Sequence, residues 1–310
     1  MRRSYKVACL AGDGHGPELM AEATRALRKV ARMHGFAIED VHVPFGSEAL
    51  TRSGHPLPAS TRGAVLEADA VLVANDAEPA LSGIAAQLDL RARLTQVLCR
   101  RSDFLLLSAL SEADEGWTVE RAFAVAGRRR GRVTFIEDDT RWTAFLDGSG
   151  SRPNLVRVDH VGLADTMRAI AFEPRPLDLV VTAKAVAPAL EEIAAGTDGD
   201  DRLVAVARLA GNGPSIFAPT AGLSPDDAGH GVADPSSMLL AASLLLREGL
   251  KEEHAAETLW AALRHVRVNG SRSATMRRTL AATTRDFGDA VVSLLPASHR
   301  NAEFVPESAA

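Results

Sequence analysis

Two glycine-rich segments contain the residues whose types and spacing best suit ligand binding. The first, Gly12–Pro17 (GDGHGP), follows an apolar run and precedes a helical pattern. Glycines at a strand-to-helix turn let the backbone approach a ligand, and a helix amino terminus attracts anions. The spacing differs from the G-x-G-x-x-G dinucleotide motif. The segment therefore indicates either an anion-binding turn or a tight structural turn.

The second segment, Ala218–Pro235, combines glycines, prolines, an aspartate pair and one histidine ahead of an apolar helix. A long irregular segment inside a compact domain is often functional. An aspartate in it could bind ribose hydroxyls, as acidic residues do in dinucleotide sites. The alternative is an ordered surface loop with helix caps.

Alternating strand and helix patterns surround the first segment and must position it. The patterns place strands at 5–11, 37–43 and 70–74, and helices at 17–34 and 61–67. Such β-α-β-α-β alternation predicts a parallel sheet with helices packed on it.

The rest of the chain continues this alternation around a long irregular region. Strands are predicted at 100–111, 132–136 and 177–182, helices at 118–129, 164–172, 187–195, 236–246, 252–266 and 286–295, and irregular structure at 211–235. These patterns again indicate an α/β protein.

Length and composition exclude several classes of protein. The 310 residues are 46% hydrophobic and 24% charged, as in a globular chain, and no run of 18 apolar residues could span a membrane. The net charge of −5 offers no basic field for nucleic acid. Cys9 and Cys99 cannot build a disulfide framework. We therefore expect a cytoplasmic protein that contacts neither membrane nor nucleic acid.

Four stretches of the sequence carry a family resemblance. Residues 9–20 (CLAGDGHGPELM) are similar to the opening L-P-G-D-G-I-G-P-E, and residues 54–74 to a segment closing with A-D-A-V-L-L-G-A. Residues 219–235 are similar to the NAD-binding stretch H-G-S-A-P-D-I-A-G-K-G-I-A-N-P, and residues 283–295 fit the family's end. The chain thus resembles the β-decarboxylating dehydrogenases of 3-isopropylmalate and isocitrate, as a divergent member.

The resemblance implies an isopropylmalate-dehydrogenase-like two-domain α/β sandwich with a central, mostly parallel sheet. Residues 1–98 and 211–310 would form a discontinuous nucleotide-binding domain. Residues 99–210 would form an inserted second domain that carries the dimer helices, 164–172 and 187–195. The family therefore implies a homodimer, or a heterodimer with a homologous subunit. Residues 111–117 replace a longer family segment, and their shortness would weaken the dimer.

The positions that do chemistry in this family are degenerate here. The family oxidises a 2-hydroxy acid with NAD or NADP and decarboxylates it, using substrate arginines, a divalent metal, a lysine and a tyrosine. Residues 111–117 replace the tyrosine loop, and Tyr5 is the only tyrosine of the chain. The substrate-arginine positions hold Ala85, Thr95 and Ser108, the lysine position holds Asp138, and the metal-aspartate positions hold Pro188, Glu192 and the retained Asp165.

Several charged residues near these positions keep alternative interpretations open. The acidic residues could form a rewired metal site or simply be solvated: Glu137, Asp138, Asp139, Asp165, Glu191 and Glu192. Because hard divalent metals need several oxygen ligands, Mg or Mn is not expected. Lys184 is either a displaced base or an exposed lysine, and Arg91 and Arg93 are interpreted as solvent-facing charge.

The nucleotide side retains more of the family pattern. Its matching residues are Gly222, Pro225, Asp226, Gly229, Gly231 and Pro235. Asp226 resembles the acidic residue that favours NAD over NADP, since it would repel a 2′-phosphate. Three positions depart from the pattern: Ala218, Ala221 and Asp234. Asp234 is nevertheless one of the residues predicted to bind the cofactor. Weak NAD binding is therefore expected.

Three functions follow from this combination. The leading hypothesis is a family member that has lost the standard oxidative decarboxylation and acts as a non-catalytic, regulatory or nucleotide-binding subunit. The first alternative is an active NAD-dependent oxidoreductase on an altered small hydroxy acid. The second alternative is a scaffold for assembly that binds no ligand.

Overall fold

The computed structural model describes eight stretches of the chain. They are residues 3–75, 79–85, 87–98, 103–136, 156–196, 203–220, 228–270 and 283–295. All structural statements concern these stretches.

The described stretches form alternating strands and helices. The strands are β1 Ser4–Leu10, β2 Ala37–His42, β3 Ala70–Val73, β4 Leu90–Leu98, β5 Asp103–Ala109, β6 Arg132–Ile136, β7 Arg157–Val161, β8 Leu179–Thr182, β9 Leu203–Ala210 and β10 Ser215–Pro219. The α-helices are α1 Gly16–Met33, α2 Ser47–Ser53, α3 Ala59–Leu66, α4 Ser82–Ala85, α5 Glu115–Ala126, α6 Leu163–Phe172, α7 Ala187–Gly196, α8 Ser236–Leu244, α9 Glu253–Gly270 and α10 Thr284–Leu294. A π-helical segment, Leu245–Gly249, joins α8 to the turn before α9.

All ten strands join one sheet in the order β2-β1-β3-β10-β9-β4-β5-β8-β6-β7. Three central pairings, β10–β9, β9–β4 and β4–β5, are antiparallel, and the other six are parallel. This confirms the predicted α/β fold with a central, mostly parallel sheet. The division into two domains stays a prediction.

The two faces of the sheet are covered differently. One face carries a continuous apolar core, to which strands from both ends of the sheet contribute and over which α1, α5, α8 and α9 pack. The other face carries two separate apolar clusters, one around Leu10 and Val71 and one around Leu106 and Val180. Between these two clusters this face of the sheet has no apolar cover, so polar side chains can lie there.

Two central strands escaped prediction. β4 reads LRARLTQVL, where arginines and other polar residues interrupt the apolar pattern. β9 reads LVAVARLA, and its opening apolar run LVAVA was a usable signal of a buried strand that the prediction missed. Strand β10 lies within 211–235, so the prediction of irregular structure there was wrong for Ser215–Pro219. Helix α2 was also missed, because Gly46 and Gly54 bracket a segment of only seven residues.

The predicted helix at 236–246 ends as a π turn. Every residue of α8 is buried except Ser237, which is partly so, as expected for a helix that is apolar all round. At Gly249 a β-carbon would lie 2.9 Å from the Phe217 ring, so glycine lets the chain leave the helix against β10.

Candidate functional site

Four polar residues lie side by side across the middle of the sheet. Thr182 on β8 is in register with Ser108 on β5, Ser108 with Arg93 on β4, and Arg93 with Arg208 on β9. The next residue in the row is Ile216 on β10. We call Thr182, Ser108, Arg93 and Arg208 the polar row.

The alternation of strand side chains places this row between the two apolar clusters. Val180 and Leu106 belong to one cluster and lie two residues before Thr182 and Ser108, so they share a face with them. Ile216 belongs to the other cluster. The polar row therefore lies where the two apolar clusters of this face leave the sheet without an apolar cover.

A carboxylate from α7 is bound to this row. Arg93 donates from Nε and Nη2 to the two oxygens of Glu191, at 2.9 and 3.1 Å, and Thr95 Oγ1 donates to Oε1 at 2.7 Å. Thr95 is fully buried, while the Arg93 and Glu191 side chains are 22% and 19% exposed. The forked, charge-assisted contact neutralises both groups. The interpretation of Arg93 as solvent-facing charge was therefore wrong.

Further polar contacts lie near the row, where the strands that carry it begin or end. Arg91 pairs with Asp89, and the hydrogen bond from Arg91 lowers the pKa of the Asp89 carboxyl. Lys184 Nζ donates to the Leu110 carbonyl at 2.8 Å, which ties the chain after β8 to the end of β5. The Oγ1 of Thr182 is buried and has no hydrogen-bond partner among the described residues.

The remaining positions with chemical roles in the resemblance lie apart from the row. Ala85 ends the short helix α4. Pro188 and Glu192 are exposed one turn apart on α7. Asp165 is exposed on the first turn of α6, where it pairs with Arg168 at 2.8 Å. Asp138, like Glu137 and Asp139, lies outside the described residues.

The glycines of the first turn have steric reasons to be glycine. Gly12 and Gly14 have φ of 64° and 59°, in the left-handed region. A β-carbon on Gly16 would lie 1.8 Å from the Ala11 carbonyl oxygen. Asp13 accepts from the backbone and side chain of Ser47 and so fixes the start of α2. These contacts favour the structural reading of this turn.

Residues 228–235 lie against the same part of the molecule. Gly229 and Gly231 have φ of 79° and 65°. Thr284 donates its backbone N–H to Gly231 at 2.7 Å and its hydroxyl to the Ala233 carbonyl, and it lies 3.4 Å from Glu18 of α1. The start of α1 and this loop thus adjoin through α10. Gly222, Pro225 and Asp226 lie outside the described residues, as does Ala221.

Asp234 has structural partners. Its Oδ1 accepts from the Ser236 backbone at 2.9 Å at the start of α8, and its Oδ2 pairs with Arg267 at 3.0 Å. The carboxylate therefore holds the backbone N–H of the first residue of α8, and Arg267 compensates its charge.

Comparison with known proteins supplies the family. The model described as "Isocitrate/isopropylmalate dehydrogenase" matches residues 6–100 and 149–291. A 3-isopropylmalate dehydrogenase of Synechococcus sp. (strain CC9605) is 30% identical, over 87% of this chain and 92% of that protein. One from Salinibacter ruber (strain DSM 13855 / M31) is also 30% identical, over 79% and 83%.

The chain belongs to the isocitrate/isopropylmalate dehydrogenase family. Solved structures agree on the fold. A β-decarboxylating dehydrogenase from Thermococcus kodakarensis, in its apo form, superposes with a TM-score of 0.78 at 21% identity, over 94% of this chain and 96% of that chain. An isocitrate dehydrogenase from Methylococcus capsulatus gives 0.72 at 20% identity, over 94% and 99%.

The family match omits residues 101–148. This segment holds Ser108, residues 111–117 and Asp138, all at positions where the resemblance places family chemistry. In the described part, residues 112–114 form a single 3-10 turn that leads directly from β5 into α5.

No described helix of this family member is long and apolar enough to cross a membrane.

The described residues do not fit the family's metal site. Pro188 has no side-chain donor, Glu191 is bound by Arg93, and Asp165 pairs with Arg168. Within the described stretches, no three His, Cys, Asp or Glu side chains come together as a metal site would require. The nucleotide side fits better, because the backbone of the first turn and of residues 228–235 retains its glycines.

Sequence reasoning missed Arg208 and the pairing of Arg93 with Glu191. The alternation of Arg91, Arg93 and Thr95 in β4 was a usable signal, since it puts three polar side chains on one face of a strand. Nothing local indicated that Glu191, 98 residues away, would be their partner.

Proposed function

We propose that this family member does not carry out NAD-dependent oxidative decarboxylation and acts as a non-catalytic, nucleotide-binding subunit. The family relation gives the fold and the expected cleft. The degenerate positions, from Ala85 and Thr95 to Pro188 and Glu192, remove the groups that the family reaction needs.

One observation carries this proposal, the ion pair between Arg93 and Glu191. In the family pattern, the helix equivalent to α7 supplies metal-binding aspartates, and β4 supplies an arginine for the substrate. Here Thr95 and Glu192 stand at such positions, and their neighbours Arg93 and Glu191 bind each other across the same place. Each would have to lose a charge-assisted partner before it could bind a metal or a carboxylate, which costs about 1.5–3 kcal/mol per bond.

The first test is an activity assay with a positive control. NADH formation is followed with 3-isopropylmalate, isocitrate and malate in the presence of Mg²⁺, beside the Synechococcus 3-isopropylmalate dehydrogenase. We expect no NADH above background, because losses within one catalytic unit leave little residual rate. Turnover on any of the three substrates would refute the loss of the family reaction.

The second test measures the cofactor by calorimetry. We expect weak NAD binding, and weaker NADP binding, because the glycines of the loop keep its path while Ala221 and Asp234 remove groups of the family pattern. Two missing hydrogen bonds raise a dissociation constant roughly tenfold or more. Asp226→Ala should reduce the preference for NAD. If no heat is detected at millimolar NAD, the alternative of an assembly scaffold that binds no ligand would be favoured instead.

The polar row favours the alternative of an active oxidoreductase on another acid. The Ser108 hydroxyl and the Thr182 hydroxyl, which has no partner among the described residues, could donate to a carboxylate beside the positive charge of Arg208. A screen of small 2-hydroxy acids with NAD distinguishes the two readings, since NADH formed from any of them, and lost in Arg208→Gln, would establish this alternative.

A further inference from the structure

We propose that a cavity on the sheet face opposite the polar row binds a compact multivalent anion. The cavity has a volume of about 470 Å³. It lies where β4 ends and β5 begins, between the chain after α5 and one side of α9. Its lining residues are Leu98, Asp103, Arg128, Arg129, Arg130, Arg247, Glu253, His254, Glu257, Trp260 and Arg264. We call it the arginine cavity.

The cavity is on the other face of the sheet from the polar row. Leu98 belongs to the continuous apolar core, whereas the row lies between the two clusters of the opposite face. The arginine cavity is therefore separate from the polar row and from Glu191. The proposal does not depend on the proposed function.

Two buried donors in the cavity lack an acceptor among the described residues. The Arg247 side chain is 8% exposed, and its Nε has no hydrogen-bond partner, since the nearest carboxylate oxygen, of Glu253, is 3.6 Å away. The indole N–H of Trp260 is buried and is also without a partner. A buried donor without an acceptor costs about 1–3 kcal/mol. A bound oxygen-rich ligand would remove both penalties.

The charge of the cavity favours an anion. Five arginines and three carboxylates line it, which leaves an excess of two positive charges when His254 is neutral. Asp103 is already paired with Arg129 at 3.3 Å, and Glu257 with Arg247 Nη2 at 2.9 Å. Behind the lining, Glu248 binds Arg128, and Asp178 binds Arg129 and Arg130. The lining guanidinium that has no carboxylate partner among the described residues is that of Arg264, and it is the charge left for a ligand.

The geometry at the mouth supports this charge. The Arg264 guanidinium lies over the Trp260 ring, 5.2 Å from its centroid, which holds a cation at the edge of the cavity. Arg128, on the other side, donates to both oxygens of Glu248 at 3.1 and 2.9 Å and lies 3.8 Å from Glu253. Guanidinium groups bind phosphate and carboxylate oxygens as a fork. A ligand with two or more such groups would bridge Arg264 and Arg247.

The experiment titrates the whole chain with pyrophosphate and with citrate, at constant ionic strength, by calorimetry. These two probes distinguish a phosphate ligand from a carboxylate ligand of similar charge. Three variants accompany the wild type. Trp260→Phe removes only the indole N–H, Arg264→Gln removes the cation at the mouth, and Arg52→Gln on α2 is the matched control outside the cavity.

We expect at least one probe to bind, with the dissociation constant raised about fivefold in Trp260→Phe and about tenfold in Arg264→Gln. Arg52→Gln should bind like the wild type. If neither probe binds at about 10 mM, which is roughly the weakest affinity that would be useful, the proposal is overturned. Binding that neither cavity variant changes, or that Arg52→Gln changes equally, would overturn it too.

Discussion

At the scale of residues, the ion pair between Arg93 and Glu191 has a structural role of its own. Arg93 and Arg208 are directly opposite on neighbouring strands, and like charges so placed destabilise a sheet. Glu191 compensates Arg93, and Thr95, buried at a position that holds an arginine in the family pattern, supports the carboxylate. The pair therefore has a reason to exist that needs no substrate.

A double-mutant cycle tests this pair. Arg93→Met and Glu191→Leu should each destabilise the chain by about 1–3 kcal/mol, because each leaves a largely buried charge without its partner. The double variant should cost less than the sum of the two, since it removes both charges. Urea unfolding measures the three differences, and strict additivity would contradict a direct interaction.

Lys251 links stability to pH. Burial, and then the nearby Arg121, lower the pKa of this amine from 10.5 to about 8. Between these two values the unfolded chain holds a proton that the folded chain has released, so the free energy of unfolding should rise with pH across this window. The effect is modest, because the side chain is 52% exposed.

Lys251→Met removes the titrating group, and Lys29→Met on α1 is the matched control. Unfolding in urea at pH 7, 8, 9 and 10 should show the wild type gaining stability relative to Lys251→Met above pH 8. The gap should be constant below pH 8, where both states are protonated. A constant gap at all four values would show that the pKa of Lys251 is unchanged by folding.

At the scale of elements, the turn between β1 and α1 leaves no room for a side chain at Gly16. Gly16 opens α1 against the Ala11 carbonyl and the side chain of Ala74, at the end of β3. Pro17 follows in the first turn, where a missing N–H costs nothing. The glycine is thus required by the close approach of two strands and a helix, whatever ligand the turn binds.

Gly16→Ala should therefore destabilise the chain by about 3 kcal/mol or more, because the new methyl group overlaps a backbone oxygen that cannot move freely. Gly63→Ala is the matched control. It lies in α3 with no atom within 4 Å of the added carbon, so it should stabilise by about 0.5–1 kcal/mol. Thermal unfolding of both variants measures the contrast. Equal melting temperatures would contradict it.

At the scale of the molecule, the expected subunit interface is smaller than the sequence suggests. Helices α6 and α7 were expected to present a broad apolar face to a partner. Ile170, Leu190 and Ala194 are buried instead in the chain's own cluster, and Met167 packs against it. Phe172, at the end of α6, is 77% exposed. Phe172 is therefore the large apolar side chain that the described part of these helices leaves exposed for a partner.

We predict a homodimer, or a heterodimer with a homologous subunit, that Phe172→Ser weakens. Losing one exposed aromatic contact should raise the dissociation constant about tenfold or more. Light scattering over a concentration series measures the dissociation constant, and Leu50→Ser, an exposed leucine of α2, is the control. A wild-type monomer at micromolar concentration, with no homologous partner recovered from cells, would contradict the prediction.

The sequence by itself determined the α/β alternation, most helices and the family. Those features depend on local patterns: periodicity over a few residues, turn glycines such as Gly12 and Gly14, and ordered motifs.

Tertiary structure decided the rest, because it depends on which distant segments meet. The antiparallel centre of the sheet brings β4, β9 and β10 together, and so aligns Arg93 with Arg208. The fold alone brings Glu191 to Arg93. It also gathers arginines from residues 128–130, the π segment and α9 into one cavity. Each of these contacts joins charges far apart in the chain, and no local spacing encodes such a meeting.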